Sequence, residues 1–269
     1  MLTEKTFTVD GFTMNYAEGP QSGTPLVFLH GATLWWKDFE PLFQPLEKNW
    51  HIYACDMRGH GKSSRTPGKY RAVDFFPDVV NFIQKQIQEP VVLVGHSNGG
   101  TFALLAAAQI PELVQGIILL DPSVCFRDTT LQSIPLLNDW FAGMVDILNA
   151  NHSLKEVVAP FMPGLDEAGL QEVEAMIRSV DPEFIYMMGN NQFFDDLDIE
   201  QMANKVKCPT LLLYGETELR GIVRDSDVEF IREHIPQTVA HQIKGAGHSP
   251  HWDKTETTIE HITSFLRTI

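Results

Sequence analysis

Short apolar runs recur along the chain, each stopped by Gly, Pro or Asp: PLVFLHG (25–31), HIYACD (51–56), PVVLVGHS (90–97), GIILLDP (116–122) and PTLLLYG (209–215). Near-continuous apolar runs of this length predict strands buried on both faces, as in a parallel sheet. Ahead of them, EKTFTV and FTMNYA flank Asp10-Gly11, a two-residue turn signal that predicts a hairpin over residues 4–17. Helical periodicity fills the gaps. Over residues 74–88 apolar residues fall at Phe76, Val79, Val80, Ile83 and Ile87, with Asp74 as the expected N-cap. Residues 98–110 are rich in Ala and Leu and stop at Pro111, and Ile259, Ile262, Leu266 and Ile269 share one face of the last segment. Strands alternating with helices predict an α/β fold with a mostly parallel central sheet and helices on both faces.

Residues 123–205 break this rhythm. They contain Pro135, Pro160, Pro163 and Pro182, helix-like pieces such as LDEAGLQEVEAMIRS, and no convincing strand. A helical insertion of this length between two strands is expected to form a cap over the carboxyl edge of the sheet, since long insertions in compact domains are usually functional. The division expected is a core of residues 1–122 and 206–269 with a cap of residues 123–205.

Composition narrows the function classes. The chain has 269 residues, 35 acidic against 20 basic, and a formal charge of −15. That sign disfavours nucleic acid and anionic membrane surfaces as partners. Cys55, Cys125 and Cys208 are far apart, two of them in or beside apolar runs, and no cysteine or histidine pair has metal-ligand spacing. No cofactor or metal is expected. The first residues, MLTEKTFTVDGF, carry no signal-peptide pattern, and no apolar run approaches the ~18 residues of a membrane helix. Cytoplasmic location is the expectation.

The sharpest chemical signal is Gly95-His96-Ser97-Asn98-Gly99, directly after a predicted strand and directly before a predicted helix. A serine on a tight strand-to-helix turn takes strained backbone angles, and glycines two residues away on each side make room for the bend. The strain exposes Oγ, while the helix N-terminus points amide N–H groups at the reacting carbonyl. A serine hydroxyl needs an adjacent base. His248, in the Gly-rich loop Gly245-Ala246-Gly247-His248-Ser249-Pro250, is the expected base, with His251 as the fallback. The base in turn needs a carboxylate. Glu218, just past the PTLLLYG run, is the expected partner. Asp121, at the end of GIILLD, is its rival, and Asp225 and Asp227 are read as first-turn residues of the next helix. The oxyanion hole should combine the N–H of Asn98 with that of Ala32 in the His30-Gly31-Ala32-Thr33 loop.

Taken together, these motifs resemble the α/β-hydrolase superfamily with an inserted helical cap. The resemblance runs from His30-Gly31 through Asp56-Met57-Arg58-Gly59-His60-Gly61-Lys62-Ser63 and the Ser97 turn to His248, covering most of the chain outside the cap. It implies that the Asp56–Ser63 stretch is a structural loop. It also implies that the acid after the seventh strand is commonly Asp, where this chain has Glu218. Relatives resembling haloalkane dehalogenases and epoxide hydrolases use Asp at the turn, so Ser97 argues against both chemistries.

The function expected is therefore a serine hydrolase acting on a small or medium carboxylic ester with an apolar part. A lactone or a carbon–carbon bond is the alternative within hydrolysis. A hydroxynitrile-type lyase or a slow hydrolase-like receptor is the alternative outside it. The cap's Phe161, Met162, Met176, Phe184, Tyr186, Met187, Met188, Phe193 and Phe194 are candidates for an apolar pocket wall or for the cap's own core. Trp35 and Trp36 are placed either at the site or in the core.

Overall fold

A computed structural model describes residues 2–149, 151–162 and 164–269; Met1, Ala150 and Pro163, all inside the expected core and cap ranges, lie outside the described residues. Eight strands form one sheet: β1 (Thr3–Val9), β2 (Phe12–Glu18), β3 (Pro25–Leu29), β4 (His51–Cys55), β5 (Val91–His96), β6 (Val114–Leu120), β7 (Thr210–Tyr214) and β8 (Thr238–Gln242). Their spatial order is β1-β2-β4-β3-β5-β6-β7-β8. The β1–β2 hairpin and its β2–β4 contact are antiparallel, and every pairing from β4 through β8 is parallel. This is the α/β architecture that the apolar runs predict.

The runs have no polar alternation because both faces of the sheet are covered. Val27, Leu29, Val91 and Leu93 belong to one buried cluster, while Leu26, Phe28, Val92 and Val94 belong to another on the opposite face. The helices supplying these layers are α1 (Glu40–Leu46), α2 (Ala72–Asn81), α3 (Asn98–Gln109), α4 (Pro135–Leu148), α5 (Leu154–Val158), α6 (Glu167–Ser179), α7 (Pro182–Gly189), α8 (Ile199–Ala203), α9 (Asp225–His234), α10 (Pro250–Asp253) and α11 (Thr255–Leu266). Elements α4 to α8 fall between β6 and β7, and no strand interrupts them among the described residues. No helix of the described residues is long and apolar enough to cross a membrane.

Two local expectations need correction. Asp74 is not the N-cap of α2; Arg71 holds that place, and Asp74, three residues on, accepts the Arg71 N–H at 3.0 Å. An acidic residue in the first turn thus meets the same unsatisfied N–H groups from inside the helix. Ile269 lies beyond α11 and is exposed, whereas Ile262 and Leu266 are buried as the periodicity predicts.

The sheet places the Gly95–Gly99 turn at its middle. β5 is flanked by β3 and β6, and α3 leaves its carboxyl end without an intervening loop. Such a turn leaves no space for side chains beside it. A Cβ on Gly99 would collide with the Leu29 carbonyl group, and one on Gly95 would collide with the Gly99 carbonyl group. Gly99→Ala is therefore expected to destabilise by ~3 kcal/mol or more, at the upper end of overpacking costs. Gly189→Ala, in a helix with nothing within 4 Å of the added methyl, should be neutral or slightly stabilising. Urea titration of both variants checks this; equal midpoints would contradict it.

Candidate active site

Ser97 sits between β5 and α3 with φ +52 and ψ −120, a backbone region that L-residues rarely adopt. The turn that the glycines permit is therefore present, and it lifts the serine side chain off the end of the sheet. The Ser97 and Ser123 hydroxyls are 3.2 Å apart, and the Ser123 N–H donates to the Ser97 carbonyl at 3.2 Å. Ser97 and His248 line one cavity of about 240 Å³ together with Ala32, Trp140, Phe161 and Arg220, among others.

His248 is oriented by Asp121, not by Glu218. Its Nδ1 lies 2.6 Å from Asp121 Oδ2, a hydrogen bond in which the ring donates to a carboxylate that is completely buried. The same carboxylate accepts the Gly215 N–H at 3.2 Å through Oδ1 and the Ile222 N–H at 2.9 Å through Oδ2. Asp121 adopts φ +43 directly after β6, which turns its side chain toward the neighbouring β7 end and the His248 loop. Glu218, by contrast, lies in a single 3₁₀ turn over Thr217–Leu219, is exposed, and among the described residues accepts only the Thr217 hydroxyl, at 3.3 Å. The expectation for Glu218 is thus overturned by the direction of that turn. Asp225 and Asp227 do open α9, and the Asp227 carboxylate accepts the Arg224 N–H at 2.8 Å.

The N–H groups of Ala32 and Asn98 donate to no acceptor among the described residues. Both belong to segments abutting Ser97: Asn98 is the first residue of α3, and a Cβ on Gly31 would come within 3.1 Å of Ser97 Cβ. The Ala32 loop is held in place by two histidines. His30 Nδ1–H donates to the Gly31 carbonyl at 2.7 Å and its Nε2 accepts the Met57 N–H at 2.9 Å. His60 Nδ1–H donates to the Arg58 carbonyl at 2.8 Å and its Nε2 accepts the Thr33 N–H at 3.2 Å. Each ring must accept at one nitrogen, so both are neutral. Burial lowers both their pKa values, His60 to about 3. The Asp56–Ser63 stretch thus braces the loop, as the resemblance implies. From the helical insertion, Trp140 Nε1–H donates to the Thr33 hydroxyl at 2.9 Å, which itself donates to the Ala32 carbonyl at 2.6 Å.

A second buried network lies behind Ser97. His96 Nδ1 is 2.8 Å from Asp38 Oδ2, and its Nε2 is 2.9 Å from the His248 carbonyl oxygen. Both partners can only accept, so His96 donates from both nitrogens and is an imidazolium. Burial opposes that charge, but the Asp38 carboxylate outweighs it and raises the His96 pKa. Burial likewise opposes ionisation of Asp38, yet His96 and His251 hold its carboxyl well below the usual range. His251, the fallback base, donates from Nε2 to Asp38 Oδ1 at 3.1 Å and is kept from charging mainly by burial. It is fully buried beneath Asp38 rather than facing Ser97. Asp38, His96 and His251 are the only three side chains among the described residues grouped closely enough to hold a metal. Both histidines spend one ring nitrogen on the Asp38 carboxylate at hydrogen-bond separation, while His251 Nδ1 is buried without a partner.

Other sequence expectations divide. Phe161 and Met162 line the cavity, while Met176, Phe184, Met188 and Phe193 are buried in the main core, and Tyr186 is exposed. Met187 and Phe194 pack against that core from partly buried positions. Trp35 and Trp36 pack against opposite core clusters and do not reach the cavity. Ser123, Asp38 and Arg220 went unread as site residues. Ser123 and Asp38 are brought in only by long-range packing, for which no local pattern exists.

The Asp38–His96 pair has a defined pH signature. A raised His96 pKa contributes stability that is complete below the ordinary imidazole value of 6.5 and is lost as pH rises through the folded-state value. A lowered Asp38 pKa contributes stability present above the ordinary 3.8 and lost as pH falls through the folded-state value. The Tm gap between the wild type and Asp38→Asn should therefore be widest between those two ordinary values and narrow toward alkaline pH. Thermal melts at a series of pH values check it, and a gap that widens with rising pH would contradict it.

Comparison with known proteins gives the family. Residues 24–255 match the model of the family described as alpha/beta hydrolase fold. The chain is similar to 2-(acetamidomethylene)succinate hydrolase of Mesorhizobium japonicum, 26% identical over 260 residues, covering 94% of this chain and 91% of the relative. It is similar to pimeloyl-[acyl-carrier protein] methyl ester esterase of Xylella fastidiosa, 26% identical over 266 residues, covering 93% and 99%. Among solved structures, an esterase from Exiguobacterium antarcticum superposes with a TM-score of 0.79 at 21% identity, covering 99% of this chain and 100% of the other, which bears on the fold alone. The chain belongs to the α/β-hydrolase fold family and is a hydrolase.

Proposed function

We propose that the enzyme hydrolyses a small or medium carboxylic ester through an acyl-enzyme on Ser97. The observation that carries this reading is the pairing of a strained serine with a carboxylate-bound histidine on one cavity. In the reaction, His248 Nε2 takes the Ser97 proton as Oγ attacks the ester carbonyl carbon. Asp121 accepts the His248 Nδ1–H throughout and stabilises the imidazolium that forms. The N–H groups of Ala32 and Asn98 receive the oxyanion, an arrangement worth ~2.7–4 kcal/mol per donor. The alcohol leaves with the proton from Nε2, and water, activated by the same nitrogen, then releases the acid. The Ser97 hydroxyl meets Ser123 in the free enzyme, and a nucleophile–base hydrogen bond commonly tightens only once substrate is bound.

Residues 123–205 act in this reading as the cap, covering the carboxyl edge and supplying the apolar wall. Leu136, Leu137, Trp140, Phe141, Phe161 and Met162 of that segment line the cavity, which supports it. The esterase name of the relative from Xylella fastidiosa supports the ester as the bond cleaved.

Two outcomes are expected. Treatment with a fluorophosphonate should add one label, located on Ser97 by mass spectrometry, and Ser97→Ala should lose both label and turnover; a label elsewhere with Ser97→Ala active would refute the nucleophile. Asp121→Asn should lower kcat by roughly 10³–10⁴-fold, as expected when the base loses its orienting carboxylate. Glu218→Gln should stay within about twofold of the wild type, since exposed polar side chains away from the chemistry contribute little. Steady-state rates on p-nitrophenyl esters decide between them, and the reverse ranking would return the acid to the β7 end.

A further inference from the structure

The cavity beside Ser97 is apolar on most of its wall, yet one lysine or arginine reaches it, Arg220. That guanidinium is held by the cap: Nη1–H donates to the Pro160 carbonyl at 3.1 Å, and Cζ lies 5.7 Å from the Phe161 ring centroid. The backbone commits to this placement, since Arg220 takes φ +73 and its N–H closes the turn onto the Thr217 carbonyl at 3.1 Å. Arg58, Arg71, Arg127, Arg178 and Arg224 each pair with an Asp or Glu. Arg220, like Arg65, Arg232 and Arg267, has no such partner among the described residues, and of these four it alone lines the cavity. Asp253, the carboxylate that also lines the cavity, accepts the Gly247 N–H at 2.8 Å.

A guanidinium has five donors in a planar fork, and here one is engaged. The free edge matches a carboxylate, which offers two coplanar acceptors to two parallel N–H groups. A phosphate dianion would ask for more positive charge than one arginine beside Asp253 provides. In a protein of charge −15, an anionic substrate is repelled at a distance, so a cation at the site itself is needed to hold it. We propose that Arg220 is an anion-recognising subsite and that the preferred substrate is a half-ester: an apolar chain with the scissile ester at one end and a carboxylate at the other. The cavity of about 240 Å³ suits a short chain, since it lies below the ~300–1,000 Å³ of most ligand pockets.

This inference rests on the ester reading of the same site, and the test separates the two. Monomethyl adipate and dimethyl adipate differ only in the terminal charge. In steady-state assays, Arg220→Gln should lower the ratio of kcat/KM for the monoester over the diester by about 10- to 100-fold, the size of a charge-assisted hydrogen bond. Arg220→Lys, which keeps the charge and loses the fork, should fall between. In calorimetric titration of uncleaving Ser97→Ala protein, monomethyl adipate should bind about tenfold or more weakly once Arg220→Gln is added. An unchanged ratio, or binding of monomethyl adipate that is absent or indifferent to Arg220, would overturn the subsite. Arg220-dependent binding without turnover of either ester would instead retain the subsite and overturn the ester chemistry. Melting temperatures of the variants guard against a folding defect.

Discussion

The Asp121 carboxylate is the junction on which the site depends. It ends β6, accepts N–H groups from Gly215 and Ile222 beyond β7, and takes the ring N–H of His248 from the loop before α10. Three segments distant in sequence are fixed relative to one another by one fully buried side chain. A buried carboxylate without partners would be costly, and three donors make its burial tolerable. Because those donors come from the backbone and from His248, burying the charge and orienting the His248 ring are one act. The side chain of His248 is 16% exposed, so its outer face meets the cavity while its inner nitrogen is committed.

Around this junction the buried histidines are sorted by charge. His30 and His60 are neutral because each must accept a backbone N–H, and they set the loop that carries Ala32. His96 is cationic because it faces a carboxylate and a carbonyl, and its second bond holds the His248 backbone. His248 is therefore gripped at both ends, by Asp121 on its ring and by His96 on its main chain. The helical insertion joins the same framework through Trp140 and Thr33, so the segment that lines the cavity also bears on the Ala32 loop.

Much of the architecture was legible in the chain because both faces of the sheet are buried. That constraint writes uninterrupted apolar runs, and β3 to β7 follow them closely. The Ser97 turn was legible for a local reason as well: a sharp bend needs Gly95 and Gly99 within a few residues of it. The acid was not. Asp121 and Glu218 both follow apolar strands, and what separates them is the left-handed turn at Asp121 against the outward 3₁₀ turn at Glu218. Aspartate tolerates a positive φ better than most residues, but the residue type alone does not require the φ of +43 found at Asp121. Asp38 and Ser123 were hidden for the same reason, since their partners lie 58 and 26 residues away. The exposed Arg220 carries no local pattern that distinguishes it from a surface arginine.

The central claim is that the buried Asp121 carboxylate, and no other, accepts the His248 Nδ1 proton. Nitrogen-15 labelling of the histidines allows that ring proton to be observed directly by NMR. A strongly deshielded, slowly exchanging Nδ1–H resonance from His248 is expected, persisting in Glu218→Gln and shifted or lost in Asp121→Asn. A His248 Nδ1–H signal indifferent to Asp121→Asn, or one abolished by Glu218→Gln, would contradict it.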